Sequence, residues 1–279
     1  MLQKLKDLYK KYFFKSPLTR FIYWVLEGRV TLESKLRLFT MPDVYLRAWK
    51  LAMLRGRYEK STTDLFKKIL KPGMTAIDIG AHVGYFTRLF AKRVGSKGHV
   101  YAFEPDPFNF SLLKKNTEHC KNITINQLAV SDKSGAIDFF HSDVKTGCHS
   151  TVPSPFRQTK LAVVGVSLDD FLEKENIKRV DVIKMDIEGG EPAALRGMTG
   201  MLAANPLIRL ITEFNPECFI EAKLEPRAFL RQLEEIGFHI YVIRPLGDLD
   251  KIISAQPEAE IMRGEKFVNV YCVKYALKL

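Results

Sequence analysis

The 279-residue chain has no run of about 18 uncharged apolar residues, which excludes a conventional membrane-spanning helix. Cysteine is scarce: Cys120, Cys148, Cys218 and Cys272 lie far apart and form no C-x-x-C pair. That spacing argues against a structural zinc site or a disulfide framework and for a reducing, cytoplasmic compartment. Charges interrupt every apolar run before residue 20, so a signal peptide is not expected. Internal repeats and low-complexity segments are missing as well. Excess charge is absent from most of the chain. Residues 1–60 hold 14 Lys/Arg against 5 Asp/Glu, a balance of +9, which leaves the remainder at +2. A nucleic-acid-binding domain wants basic residues clustered around its active face, so nucleic acid is not an expected partner of this near-neutral remainder.

What is present centres on residues 72–84, PGMTAIDIGAHVG. Residues 74–79 form an apolar run with one acid near its end, Asp78, followed by Gly80 and Gly84 and then a helical pattern over 85–93. A continuous apolar run bounded by turn residues is the pattern of a buried parallel strand. Glycine after a strand permits a sharp turn and lets a ligand approach without a Cβ in the way. The unit is therefore strand, glycine-rich turn, helix. Its spacing is D-x-G-x-x-x-G, not the G-x-G-x-x-G of a dinucleotide site. An acid at this turn repels a pyrophosphate but suits a cation, and S-adenosylmethionine carries both a sulfonium and an ammonium. Glu104 closes the next apolar run, 20 residues after Gly84, where an acid accepts hydrogen bonds from ribose hydroxyls. The bland alternative is a glycine-rich turn that binds nothing, and the placement of Glu104 counts against it.

Around this unit the pattern divides the chain into a basic, mostly helical extension over 1–57 and a domain over 58–279. In the extension Leu2, Leu5, Leu8, Tyr9 and Tyr12 recur at helical spacing with lysines between them. Such a face either lies in a membrane interface or packs on the domain or on a second subunit. The ordinary amphipathic pattern of 36–49 favours packing; peripheral membrane contact and a homo-oligomer stay open. Within the domain, further strands are expected over 99–103, 123–128, 180–185, 207–212, 238–243 and 267–273, with helices over 62–70, 108–120, 167–175 and 226–235. Residues 135–140 and 161–166 form an inserted strand pair. The polar loop between them, 141–160, is long enough to be a lid, and its His141 and His149 are read as surface residues.

Five segments, IDIGAHVGYFT, VYAFEPDPFNFSLLKKN, LAVSDKSG, DVIKMDIEGGEPAALRG and ITEFNP, together resemble the FkbM-type S-adenosylmethionine-dependent methyltransferases, in order and at family-like spacing over residues 72–216. The resemblance implies a class I methyltransferase (Rossmann-like) α/β fold: a seven-stranded sheet, helices on both faces, the last strand antiparallel. It also implies O-methylation of a hydroxyl, often of a sugar, in polysaccharide, glycolipid or natural-product synthesis. Carried over by position, Asp78, Gly80, Ala81, Gly84 and Tyr85 surround the methionine part of the cofactor. Glu104 binds the ribose with Pro105 and Asp106 beside it, Ala129 and Val130 lie near the adenine, and Asp186 faces the methyl group. Glu188, Gly189 and Glu191 complete the IEGGE signature. His82 stands where the family commonly has asparagine, and it is expected to face solvent or the cleft.

A sugar hydroxyl is a poor nucleophile, which calls for a general base. The candidates at strand ends are Asp186, Glu188 and Glu213, with Asp186 preferred as base or anchor. Glu188 and Glu191 have a second reading, as caps of the following helix. A divalent cation held by Asp186 and Glu213 lacks a visible third ligand, so no metal is expected. Two other functions stay in view. An NAD(P)-dependent oxidoreductase predicts G-x-G-x-x-G, which the chain does not have. A methyltransferase-like binding module, anchored to a membrane or partner by its basic N-terminus, tolerates loss of Asp78, Gly80 or Glu104, yet all three are present.

Overall fold

The computed structural model describes residues 39–42, 47–141, 149–154, 157 and 159–277. Most of the basic aromatic stretch, and residues 142–148 of the polar loop, therefore lie outside the described residues. The chain divides into two compact units between Tyr58 and Glu59. In the first, α1 (Arg47–Leu54) ends where the Ala52 carbonyl accepts the N–H groups of Arg57 and Tyr58.

The second unit opens with α2 (Lys60–Ile69), β1 (Thr75–Ile79), α3 (Tyr85–Val94), β2 (His99–Phe103), α4 (Pro107–Thr117), β3 (Ile123–Asn126) and β4 (Ala129–Val130). It continues with β5 (Gly135–His141), β6 (Thr159–Val166), α5 (Leu168–Lys174), β7 (Val182–Met185), α6 (Glu191–Arg196), α7 (Thr199–Ala204) and β8 (Arg209–Phe214). It closes with α8 (Pro216–Glu221), α9 (Pro226–Glu235), β9 (His239–Ile243), β10 (Leu249–Ile252), α10 (Glu258–Met262) and β11 (Val268–Val273).

The main sheet runs β10-β9-β11-β8-β7-β1-β2-β3. From β3 to β8 the neighbours are parallel, and β11 is antiparallel to both β8 and β9. Strand order reverses at β1, with β2 on one side and β7 on the other, which opens a cleft at the carboxyl ends of these strands. Among the described residues the sheet has eight strands where seven were expected. The extra one, β10, is a short hairpin partner of β9 whose Asp250 and Lys251 break the apolar pattern. The third strand, expected over 123–128, is shorter by two residues. β3 stops at Asn126, and Ala129–Val130 leaves the main sheet to pair with β6, which pairs antiparallel with β5.

Burial explains these strands. Every residue of β7 is buried, as are four of the five in β1, as expected for strands covered on both faces. On one side Phe66 of α2 packs on Phe90 and Phe86 of α3, with ring centroids 4.6 and 5.4 Å apart. Ser167 caps α5 by accepting the N–H of Asp170, as its sequence position suggested.

The strand ends are tied closely together. The Phe103 carbonyl accepts the N–H groups of Gly80 and Ala81, at 3.0 and 2.9 Å, and the Ile79 carbonyl accepts that of Asp186 at 3.1 Å. Gly80 has φ +78°, and a Cβ there would sit 2.0 Å from the Asp186 carbonyl oxygen. The glycine serves backbone contact between β1 and the segment after β7. Gly247 has φ +90° but open space around it. In urea denaturation, Gly247→Ala should cost about 1–2 kcal/mol, the cost of the left-handed backbone alone. Gly80→Ala should cost clearly more or prevent folding, because backbone atoms must also move. Equal losses would show that the contact at Gly80 is easily relieved.

Candidate active site

Asp78 lies in β1, opposite Lys184 of β7, and is fully buried. Thr87 donates to its Oδ2 at 2.6 Å, while Oδ1 has no hydrogen-bond partner among the described residues. Burial pushes the Asp78 carboxyl up, and the Lys184 ammonium opposes that. Lys184 is itself buried, 3.1 Å from Asp186 Oδ2 and 5.1 Å from the centre of the Phe86 ring. Burial disfavours its charge, but Asp186 and Asp78 outweigh that and hold its pKa above the ordinary value.

The turn after β1 is built on Glu104. Its Oε2 accepts the N–H of His82 at 2.8 Å and its Oε1 that of Asp106 at 3.0 Å. Burial raises the Glu104 carboxyl to about 8, against the pull of these two N–H groups. His82 has φ +53°, and burial, aided by His149, holds its imidazole down at about 4. Gly84 has φ +86°, and a Cβ there would meet Leu113 of α4 at 2.8 Å. The Tyr85 hydroxyl lies 3.2 Å from Thr63 in α2. Pro105, Ala129 and Val130 are buried. Asp106 caps α4 by accepting the N–H of Asn109, while its other oxygen lies 2.9 Å from His141 Nδ1.

A second group of acids gathers at the ends of β7 and β8. Carboxylate oxygens of Asp186, Glu188 and Glu213 lie within 4.8 Å of one another. Glu188 thus places a third carboxylate oxygen beside the Asp186–Glu213 pair. It has φ +55°, and its Oε2 accepts from Cys218 Sγ at 3.1 Å and faces Arg157 at 3.5 Å. Burial and three like charges, from Asp186, Glu188 and Glu191, hold the Glu213 carboxyl well above the usual range. Glu191 closes the turn before its own helix by accepting the N–H groups of Ile187 and Gly189, both at 2.9 Å. Glu191 thus ties the turn before the helix, and no side chain caps the helix itself. Burial raises Glu191 to about 7. Gly189 has φ +98°, and a Cβ there would lie 3.0 Å from the Cys218 carbonyl, so the IEGGE glycine too serves a close backbone approach.

Of the two loop histidines, His149 is not a surface residue, and His141 is partly buried. The His149 side chain is 4% exposed and that of His141 24%. Their rings stack with centroids 4.1 Å apart. Sequence reasoning missed this pairing, and it missed Arg157, which is buried between Glu188, Glu221 and the Val152 carbonyl. No spacing motif marks either, because the acids they meet, Asp106, Glu188 and Glu221, are distant in sequence.

Residues 78–240 match the model of the methyltransferase FkbM domain. The chain belongs to the FkbM methyltransferase family. It is 25% identical over 216 residues to hexuronic acid methyltransferase AglP of Haloferax volcanii, covering 77% of this chain and 83% of that one. It is 26% identical over 175 residues to the 2-O-methyltransferase NoeI of Sinorhizobium fredii, covering 57% and 71%. The solved structure of methyltransferase FkbM from Methylobacillus flagellatus aligns with a TM-score of 0.44 and 15% identity, over 88% of this chain and 59% of that one.

As an FkbM-family protein, the chain is an S-adenosylmethionine-dependent methyltransferase. The cleft fits that cofactor: a carboxyl group stands at each of the carboxyl ends of β1 and β2, and one buried oxygen of Asp78 has no hydrogen-bond partner among the described residues.

A pH dependence follows from Glu104. It ionises near 8 in the folded chain and near 4.5 otherwise, so the folded chain holds the extra proton between these values. Stability should therefore fall as pH rises from about 4.5 to about 8, and Glu191 acts in the same sense up to about 7. Urea midpoints across this range should fall less steeply for Glu104→Gln than for the parent. Equal slopes would mean that Glu104 is ionised in the folded chain throughout.

Proposed function

We propose that the chain transfers a methyl group to a hydroxyl of a sugar, glycan or glycolipid. Asp78, Gly80, Ala81, Gly84 and Tyr85 surround the methionine part of the cofactor in this reading. Glu104 accepts from the ribose hydroxyls, Pro105 and Asp106 stand beside it, and Ala129 and Val130 lie near the adenine. The observation that carries the reading is the convergence of Asp186, Glu188 and Glu213 at the ends of β7 and β8. Carboxylates accept hydrogen bonds from neutral hydroxyls and accept a proton from one as it reacts. The printed names of AglP and NoeI support a sugar acceptor.

S-adenosylmethionine, when bound, supplies a methyl group already activated on a positive sulfur. The residues of the chain supply orientation and proton transfer. Asp186 accepts the hydrogen bond of the acceptor hydroxyl and takes its proton, while Lys184, 3.1 Å away, fixes the carboxylate. Glu213 and Glu188 hold the acceptor's other hydroxyls. Orientation of the reacting oxygen contributes about 7–11 kcal/mol in favourable cases, and a positioned base adds roughly 10²–10⁴-fold.

Calorimetric titration should show S-adenosylmethionine binding, no NADH binding, and a loss of at least tenfold in affinity for Glu104→Ala. Asp186→Asn should keep most cofactor affinity and lose roughly 10²–10⁴-fold in kcat on a hydroxylated sugar acceptor. An unchanged kcat would remove Asp186 from the chemistry. Absence of S-adenosylmethionine binding by folded protein would favour the binding-module reading.

The +9 balance of residues 1–60 supports contact of the N-terminal segment with an anionic membrane surface. The same apolar face suits a second subunit. Full-length chain should bind anionic vesicles more tightly than a chain starting at Tyr58. Equal binding by the two would remove the membrane role, and sedimentation of both would test self-association.

A further inference from the structure

Asp106, at the amino end of α4, stands beside two rings from a different part of the chain. One is His141, the last residue of β5; the other is His149. Asp106 Oδ2 lies 2.9 Å from His141 Nδ1 and 4.0 Å from His149 Nε2. One ligand atom from each of the three residues falls within a span of 4.8 Å. A single hydrogen bond needs one imidazole; here two near-parallel rings, 16° apart in plane, bring nitrogens to the same carboxylate.

We propose that Asp106, His141 and His149 form a site for a divalent transition-metal ion. Bonds of about 2.0–2.2 Å from a zinc-like ion to nitrogen and oxygen place its ligand atoms about 3.3 Å apart in a tetrahedral arrangement. The separations of 2.9 and 4.0 Å straddle that value. The two rings stack nearly parallel, so binding needs the His149 ring to turn until its Nε2 lone pair meets an ion lying in the plane of the His141 ring. Two imidazoles and one carboxylate select Zn²⁺, Co²⁺, Ni²⁺ or Fe²⁺ over Mg²⁺ or Ca²⁺, which want oxygen alone.

The surroundings are those of a held ligand set. Asp106 Oδ1 is engaged by the Asn109 N–H at 2.8 Å, which directs Oδ2 at the histidines. His149 rests edge-on against Phe139 of β5, with centroids 6.2 Å apart. Such outer contacts orient metal ligands. Asp106 and His149 are buried, while His141 is 24% exposed on its side chain and provides the way in from solvent. The ion would tie the end of β5 and His149 to the segment after β2, two residues from Glu104. This site is independent of the acceptor assignment.

The full-length chain, stripped with a chelator and dialysed, is titrated with Co²⁺ by visible absorption and with Zn²⁺ by calorimetry. One equivalent of each should bind, with a Co²⁺ spectrum of nitrogen and oxygen ligation and no thiolate band. His141→Ala and His149→Ala should each weaken binding by at least ~10–100-fold, whereas Glu213→Gln and Cys218→Ser should leave it unchanged. Folded protein that binds neither ion overturns the proposal, as does binding that survives both histidine substitutions. Loss of binding in Glu213→Gln instead would place the ion at the carboxylate trio. Should the buried His149→Ala fail to fold by circular dichroism, His141→Ala, on the more exposed ring, decides alone.

Discussion

The site depends on how closely the carboxyl ends of β1, β2 and β7 are held. Gly80 and Ala81 share one acceptor, the Phe103 carbonyl, and Asp186 donates its N–H back to Ile79. These bonds leave no room for a side chain at residue 80. They also set Asp78, Glu104 and Asp186 around one cleft. Relaxing this backbone contact would spread the acids apart, and Gly80 is there chiefly to keep it.

Crowding acids in a buried cleft is costly unless charge is balanced or removed. The structure uses both remedies. Lys184 sits between Asp78 and Asp186, and Arg157 sits between Glu188 and Glu221. Burial also pushes Glu104, Glu191 and Glu213 towards their neutral forms. In the proposed reading a cationic cofactor would be a third remedy, because positive charge brought into the cleft would offset what remains. The acids nevertheless have separate tasks. Glu191 closes a turn, Glu104 stitches two loops, and Asp186, Glu188 and Glu213 stand together at the far side.

Much of the fold was legible in the chain. Strands β1, β2 and β7 are mainly apolar runs ending in turn residues, and runs of this kind need no distant partner to be recognised. The family follows from motifs that are short and local, and the match over residues 78–240 bears it out. Less legible was β10, whose polar residues pair along an edge, and the break after Asn126, where the chain changes sheets. Neither leaves a periodic signal.

The order of strand, turn and helix, and the acids that stand at strand ends, can be read along the chain, because period and spacing are local properties. Tertiary structure alone decided which groups meet. Asp106 finds His141 across 35 residues, and Cys218 reaches Glu188 across 30. Burial of His149, the raised carboxyl of Glu104 and the backbone duty of Gly80 arise in the same way. Each depends on desolvation and contact between remote segments, and these quantities exist only once the chain has folded.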